Sequence, residues 1–208
     1  MPLTRVKRYA SALHVSNADA TRTRILDTAW RLARERGLAA VTVAQIAAAA
    51  GVSRQLIYVH FSSRAGLLVA MTRHQDARTG FRTRAWATRE LEPVAALEAL
   101  VRAWLDYVPE ILAVAQELEA ALLTGAEAAA AWRDRMGELR EAFRVAVERL
   151  AGVGALAPGW SVDAAADWIW ARCQPSGRVH LVGERGWNEA DYVRRTTASI
   201  LREIARNV

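Results

Sequence analysis

At 208 residues, with 52% hydrophobic residues, prominent alanine and only five prolines, the chain can bury a substantial core and reads as all-α. A single cysteine, Cys173, excludes an intramolecular disulfide framework and a cysteine zinc cluster, and fits a reducing cytoplasm. The net charge of +6 is uneven: residues 1–90 hold 15 basic and 5 acidic side chains, the remainder 13 and 17, so the field that phosphate binding needs lies in the N-terminal part.

Residues 1–18 read as a flexible basic arm carrying Arg5, Lys7 and Arg8, either a plain disordered tail or a segment that touches phosphate or the minor groove. No sustained apolar run marks a signal peptide there, and nowhere do about eighteen uncharged apolar residues follow one another, so no membrane partner is expected. Over residues 19–36, Ile25, Leu26, Ala29, Trp30, Leu32 and Ala33 form one helical stripe, and Gly37 ends it. Thr42 with Gln45 three residues on predicts a capping box for a short helix over residues 43–50. Gly51 stands where the chain must turn sharply with φ > 0, and Val52 plugs the turn. Ser53 is placed to cap a second helix that carries Ile57 and Phe61 inward at i, i+4. Two helices so joined form a helix-turn-helix, although the turn alone also suits an αα-hairpin in a plain bundle.

The exposed face of the second helix is expected to hold Arg54, Gln55, Leu56, Tyr58, Val59 and His60. Arginine pairs with guanine, glutamine with adenine, and an apolar side chain covers a thymine methyl, so Arg54, Gln55 and Leu56 are the candidate base contacts. Arg64 opens the next helix, where its charge and the helix N-terminus both favour a phosphate.

Residues 21–68 resemble the N-terminal DNA-binding domain of the TetR family of bacterial transcriptional regulators. The matching features are Arg24-Ile25-Leu26, Ala29, Gly37, Thr42-Val43, Ile46-Ala47, Ala50-Gly51-Val52-Ser53, Ile57-Tyr58, His60-Phe61 and Leu67-Leu68, in order and without gaps. The family usually has glycine where this chain has Gln55 and a small residue where it has Leu56, so no operator sequence carries over. The resemblance implies an all-α homodimer: a helix-turn-helix domain over residues 19–66 and a larger helical effector-binding and dimerisation domain over residues 67–208. It implies a double-stranded DNA operator and a small-molecule effector as partners, with no cofactor. It also implies phosphate contacts by Thr42, Tyr58 and His60 beside Ser53 at the helix cap, and a pendulum-like tilt of the connecting helix on ligand binding.

Further along, residues 64–88 read as one long connecting helix, apolar at Leu67, Leu68 and Met71, then basic. Pro93 opens a helix over residues 94–107, and Pro109 resets the chain for another over residues 111–123. A long helix runs to Leu150, with Trp132, Met136, Leu139, Phe143 and Val147 on one face. Residues 162–184 and 188–206 are expected to build the dimer as a four-helix bundle, the former kinked or bulged at Gln174-Pro175-Ser176-Gly177. Their apolar residues are Trp168, Ile169, Val179, Leu181 and Val182 in the first, and Tyr192, Val193, Ile200, Leu201 and Ile204 in the second. Trp104, Trp132, Phe143, Trp168 and Cys173 are candidate walls of an effector pocket, against the alternative of simple core.

Catalytic chemistry is sparse. Cys173 and His180 could share a helix face, but no orienting group or oxyanion donor accompanies them, so no enzymatic activity is expected. The four histidines lack metal-ligand spacing, and no Gly-rich phosphate loop occurs. The expectation is therefore a ligand-responsive, cytoplasmic DNA-binding regulator acting as a repressor at a near-palindromic operator. The competing account is a helical assembly or small-molecule-binding protein without DNA.

Overall fold

The computed structural model describes residues 3–120 and 126–206, with side chains described from residue 17 onward except at 126 and 128. Among the described residues ten α-helices follow one another: α1 (Leu3–Arg36), α2 (Val43–Ala50), α3 (Arg54–Phe61), α4 (Arg64–Thr79), α5 (Phe81–Ala87), α6 (Pro93–Ala120), α7 (Ala126–Gly152), α8 (Val162–Arg172), α9 (Pro175–Arg178) and α10 (Glu189–Ile204). Among the described residues there is no strand beyond an isolated bridge between Leu156 and Ala205, and no helix is long and apolar enough to cross a membrane. The chain forms two compact units, residues 1–74 and 75–208, and α4 runs from one into the other.

The first unit packs α1 against α2, and α2 against α3. Ile25, Ala29, Ile46, Ile57, Leu67 and Met71 are all but fully buried, as the i, i+3, i+4 spacing of their helices requires. The Trp30 indole N–H donates to the Met71 carbonyl at 2.9 Å, so its polar edge is satisfied inside the core. Helix α1 begins at Leu3, well before residue 19, so much of the segment expected to be a loose arm is helical backbone continuous with α1. The side chains of Arg5, Lys7 and Arg8 lie outside the described residues.

In the second unit α6 is central, touching α5, α7, α9 and α10. Pro109 lies inside α6 and does not end it, contrary to the break expected there. The proline is on the exposed side of the helix, while Trp104, Leu105, Val108, Ile111, Val114 and Leu118 keep an unbroken buried stripe past it. Packing of that stripe outweighs the one backbone hydrogen bond that the proline cannot donate. The continuous helix expected over residues 64–88 is instead divided at Gly80, whose φ of 67° is left-handed. The turn lets Phe81 bury its ring 4.4 Å from that of Tyr107, nearly parallel to it.

The interruption at Gln174-Pro175 is sharper than a kink. Helix α8 stops at Cys173, Gln174 is extended (ψ 140°) as a residue before proline should be, and Pro175 starts α9. The chain then continues as π-helix over Val179–Glu184. The carbonyls freed at the break find side-chain donors: Gln174 Nε2 at 3.0 Å from Trp170 O, and Trp104 Nε1 at 2.7 Å from Cys173 O. Asn188 caps α10, whose Tyr192, Val193, Ile200, Leu201 and Ile204 are buried within the protomer itself. Half-exposed apolar residues on the neighbouring elements include Val162, Trp168, Trp170, Val179, Leu181 and Val182.

A buried polar network lies in the core of the second unit. Arg135 of α7 meets Asp76 of α4 at 2.7 Å, and Tyr107 of α6 donates its hydroxyl to the other Asp76 oxygen at 2.6 Å. Burial, with Asp76 next in weight, pushes the Tyr107 hydroxyl far above its ordinary pKa.

Candidate nucleic-acid interface

The geometry of α2 and α3 follows from local signals. The Thr42 Oγ1 accepts from the Gln45 amide at 3.2 Å while Gln45 Oε1 accepts from the Thr42 amide at 2.8 Å, closing the capping box. Gly51 ends α2 with φ 66°, ψ 37°. Ser53 Oγ accepts from the Leu56 amide at 3.1 Å and so fixes the start of α3. Ile57 and Phe61 anchor α3 in the core, leaving Arg54, Gln55, Tyr58 and Val59 exposed and Leu56 and His60 half-buried. Ser53 and Thr42 are exposed at the starts of their helices. Thus seven of the eight residues named for DNA contact lie at the starts of α2 and α3 and along α3, five of them exposed.

Arg64, the eighth, plays an architectural part. Its guanidinium donates to the Val41 carbonyl at 2.7 Å and reaches Leu38 O at 3.5 Å, tying the entry of α2 to the start of α4. Two more arginines hold helix ends: Arg24 Nε donates to Ala50 O at 3.2 Å, and Arg22 Nη1 to His60 O at 2.9 Å. Arg22 also lies 4.5 Å over the Phe61 ring. These cations sit at helix C-termini, where the last carbonyls carry negative partial charge. Part of the basic excess is therefore structural. The field is positive nonetheless, because residues 36–75 contain no carboxylate at all.

Two residues that fix the α3–α4 corner have no sequence signature. Ser62 takes φ 62°, ψ −44°, the one described non-glycine residue with positive φ. At Gly66 an added Cβ would lie 2.0 Å from the Phe61 carbonyl oxygen, so only glycine lets α4 approach the end of α3.

In the second unit, Trp104, Trp132, Phe143 and Cys173 are fully or almost fully buried, and Trp104 and Cys173 are joined by the indole hydrogen bond. Trp168 is half-buried, 6.1 Å from the Trp160 ring and under the Arg172 guanidinium at 4.8 Å. The thiol–imidazole pair is not assembled. Burial pushes the Cys173 thiol well above its usual range, while His180 is 65% exposed and bonded to Glu184 at 3.2 Å. Among the described residues no three histidine, cysteine or carboxylate side chains group as a metal site.

Residues 25–71 match the family model for bacterial regulatory proteins of the tetR family. No curated protein sequence matches the chain. Solved structures of the same fold include a transcriptional regulator from Saccharomonospora viridis in complex with choline, at 21% identity and TM-score 0.72, covering 91% of this chain and 100% of that one. NalD of Pseudomonas aeruginosa, the secondary repressor of the MexAB-OprM multidrug efflux pump, is 20% identical with TM-score 0.63 over 92% and 100% of the two chains. The ketosteroid transcriptional regulator KstR2 of Mycobacterium tuberculosis is 20% identical with TM-score 0.54 over 89% and 95%. At these identities the likeness establishes the fold.

Proposed function

We propose that this chain, which belongs to the TetR family through its N-terminal domain, is a ligand-responsive transcriptional regulator that acts as a homodimeric repressor in the cytoplasm. The observation that carries this reading is α3 itself: capped by Ser53, anchored by Ile57 and Phe61, and carrying Arg54, Gln55, Tyr58 and Val59 outward from a domain with no carboxylate over residues 36–75.

In this account the N-terminal part of α3 enters a major groove, with Arg54, Gln55 and Leu56 reaching base edges. Thr42, Ser53, Tyr58 and His60 hold phosphates on either side, and the start of α4 at Arg64 adds its positive end. Two protomers then engage half-sites about 34 Å apart or a multiple of that. The dimer face would use the half-exposed Val179, Leu181 and Val182 of the segment after α9, since the apolar face of α10 is spent inside the protomer.

The effector is proposed to bind the second unit, with Trp104, Trp132, Phe143, Trp168 and Cys173 as candidate contacts. Its effect on DNA follows from differential affinity for two arrangements of the protein, relayed through α4, the helix shared by both units. That the fold binds small molecules is supported by the Saccharomonospora viridis relative with choline.

The test is a titration of random-sequence duplex DNA at rising salt. Neutralising several phosphates predicts an affinity that falls steeply and log-linearly with salt. Binding that is weak and indifferent to salt would overturn the reading.

A further inference from the structure

Val59 is 72% exposed, more than any other large hydrophobic side chain described. At about 100° per residue, it points directly away from the buried direction set by Ile57 and Phe61. Gln55, one turn earlier, points the same way to within about 40°. The two residues form the crest of α3 at i, i+4. A β-branched side chain gains nothing in this position from the protein: it lowers helix propensity and leaves apolar surface in water. The surface around it is chemically one-sided, with exposed Arg54 and Tyr58 on the same helix and no carboxylate in residues 36–75. Such a crest fits a polyanion that also presents methyl groups.

Resting on the regulator reading of α3 given above, we propose that Gln55 and Val59 act as one base-reading ridge for A·T pairs. The Gln55 amide donates to adenine N7 and accepts from its N6 amino group. The Val59 methyls pack on the 5-methyl group of a thymine one or two base pairs away. Both features lie in the major groove, where an A·T pair is distinguished from all others. Val59 is thereby a specificity-determining residue, and each half-site has an A·T pair at both positions.

The experiment uses the full chain and the tightest duplex recovered by selection from random DNA. In one half-site each thymine is replaced in turn by deoxyuridine, which lacks only the methyl group. Dissociation constants are then measured for the wild type, Val59→Ala and Gln55→Ala. At one thymine the wild type should lose about fourfold in affinity, the worth of one buried methyl, while Val59→Ala shows no loss there. Gln55→Ala should lose about tenfold of its preference for adenine at a position one or two pairs away. Circular dichroism checks that both variants remain folded, as their exposed positions predict. Tight binding that ignores every thymine methyl, or a penalty unchanged in Val59→Ala, would overturn the ridge and leave the regulator standing. If selection recovers no preferred duplex, both fall.

Discussion

The Asp76–Arg135 pair offers a sharp energetic test of how the second unit is held together. Its side chains are 4% and 7% exposed and meet at 2.7 Å. Removing Arg135 as Met leaves the Asp76 charge buried with only the Tyr107 hydroxyl, so the loss should approach the ~3–5 kcal/mol seen when one partner of a buried pair is deleted. Asp76→Asn should cost less, because Arg135 retains Glu138 at 3.0 Å, a half-exposed carboxylate that keeps its charge partnered. Removing both charges, as Asp76→Asn with Arg135→Met, should cost less than the sum of the singles by at least about 2 kcal/mol. Urea unfolding reports these differences, with fluorescence of buried Trp104 and Trp132 following the second unit and a common slope as the check on two-state behaviour. Single variants that each lose under ~1 kcal/mol, with additive effects, would refute the reasoning and place the pair in water.

Gly66→Ala drives a Cβ to within 2.0 Å of the Phe61 carbonyl oxygen, a backbone atom that has no easy retreat. It should destabilise the first unit by ~2 kcal/mol or more and weaken DNA binding, measured by thermal unfolding and anisotropy; an unchanged melting curve contradicts it. Ser62→Gly should stabilise by ~1 kcal/mol, because the positive φ of 62° ceases to be strained; urea midpoints decide. Tyr107 and Tyr192 are both raised chiefly by burial, Tyr192 up to about 12. A raised folded pKa means stability that is intact below the unfolded value of about 10 and is lost as pH rises through it towards the folded values. The tyrosine contribution should therefore be level to about pH 10 and fall above, with a shallower fall in Tyr107→Phe, while the buried Cys173 thiol begins the decline earlier, above about pH 8.5.

How legible this molecule is depends on how local its determinants are. The helix-turn-helix can be read because each part lies within three or four residues of its partner: Thr42 with Gln45, Ser53 with the Leu56 amide, Ile57 with Phe61, and Gly51 at its own turn. Pro109 misleads for the opposite reason. Its local signal to stop is overruled by a buried stripe that only the folded unit reveals. Gly80 is the reverse error, a stop concealed in an otherwise helical run whose cause is Phe81 seeking Tyr107 twenty-six residues on. The Asp76–Tyr107–Arg135 network joins three helices remote in sequence, and no spacing announces it. At the candidate interface the composition of α3 is legible, but the roles of Arg22, Arg24 and Arg64 as clamps on helix ends are not. In a list of residues such arginines are indistinguishable from those that meet phosphate.

The central claim is that α3 reads duplex DNA as part of a symmetric pair, and selection of binding sites from random duplexes tests it most directly. Selection is carried out with the wild-type chain and again with Arg54→Ala and Gln55→Ala. The account predicts a near-palindromic site whose half-sites lose information at distinct positions in each variant, by about 1–3 kcal/mol per contact. A preferred sequence that is unchanged in both variants would contradict the role of α3, and no preferred sequence at all would contradict the regulator.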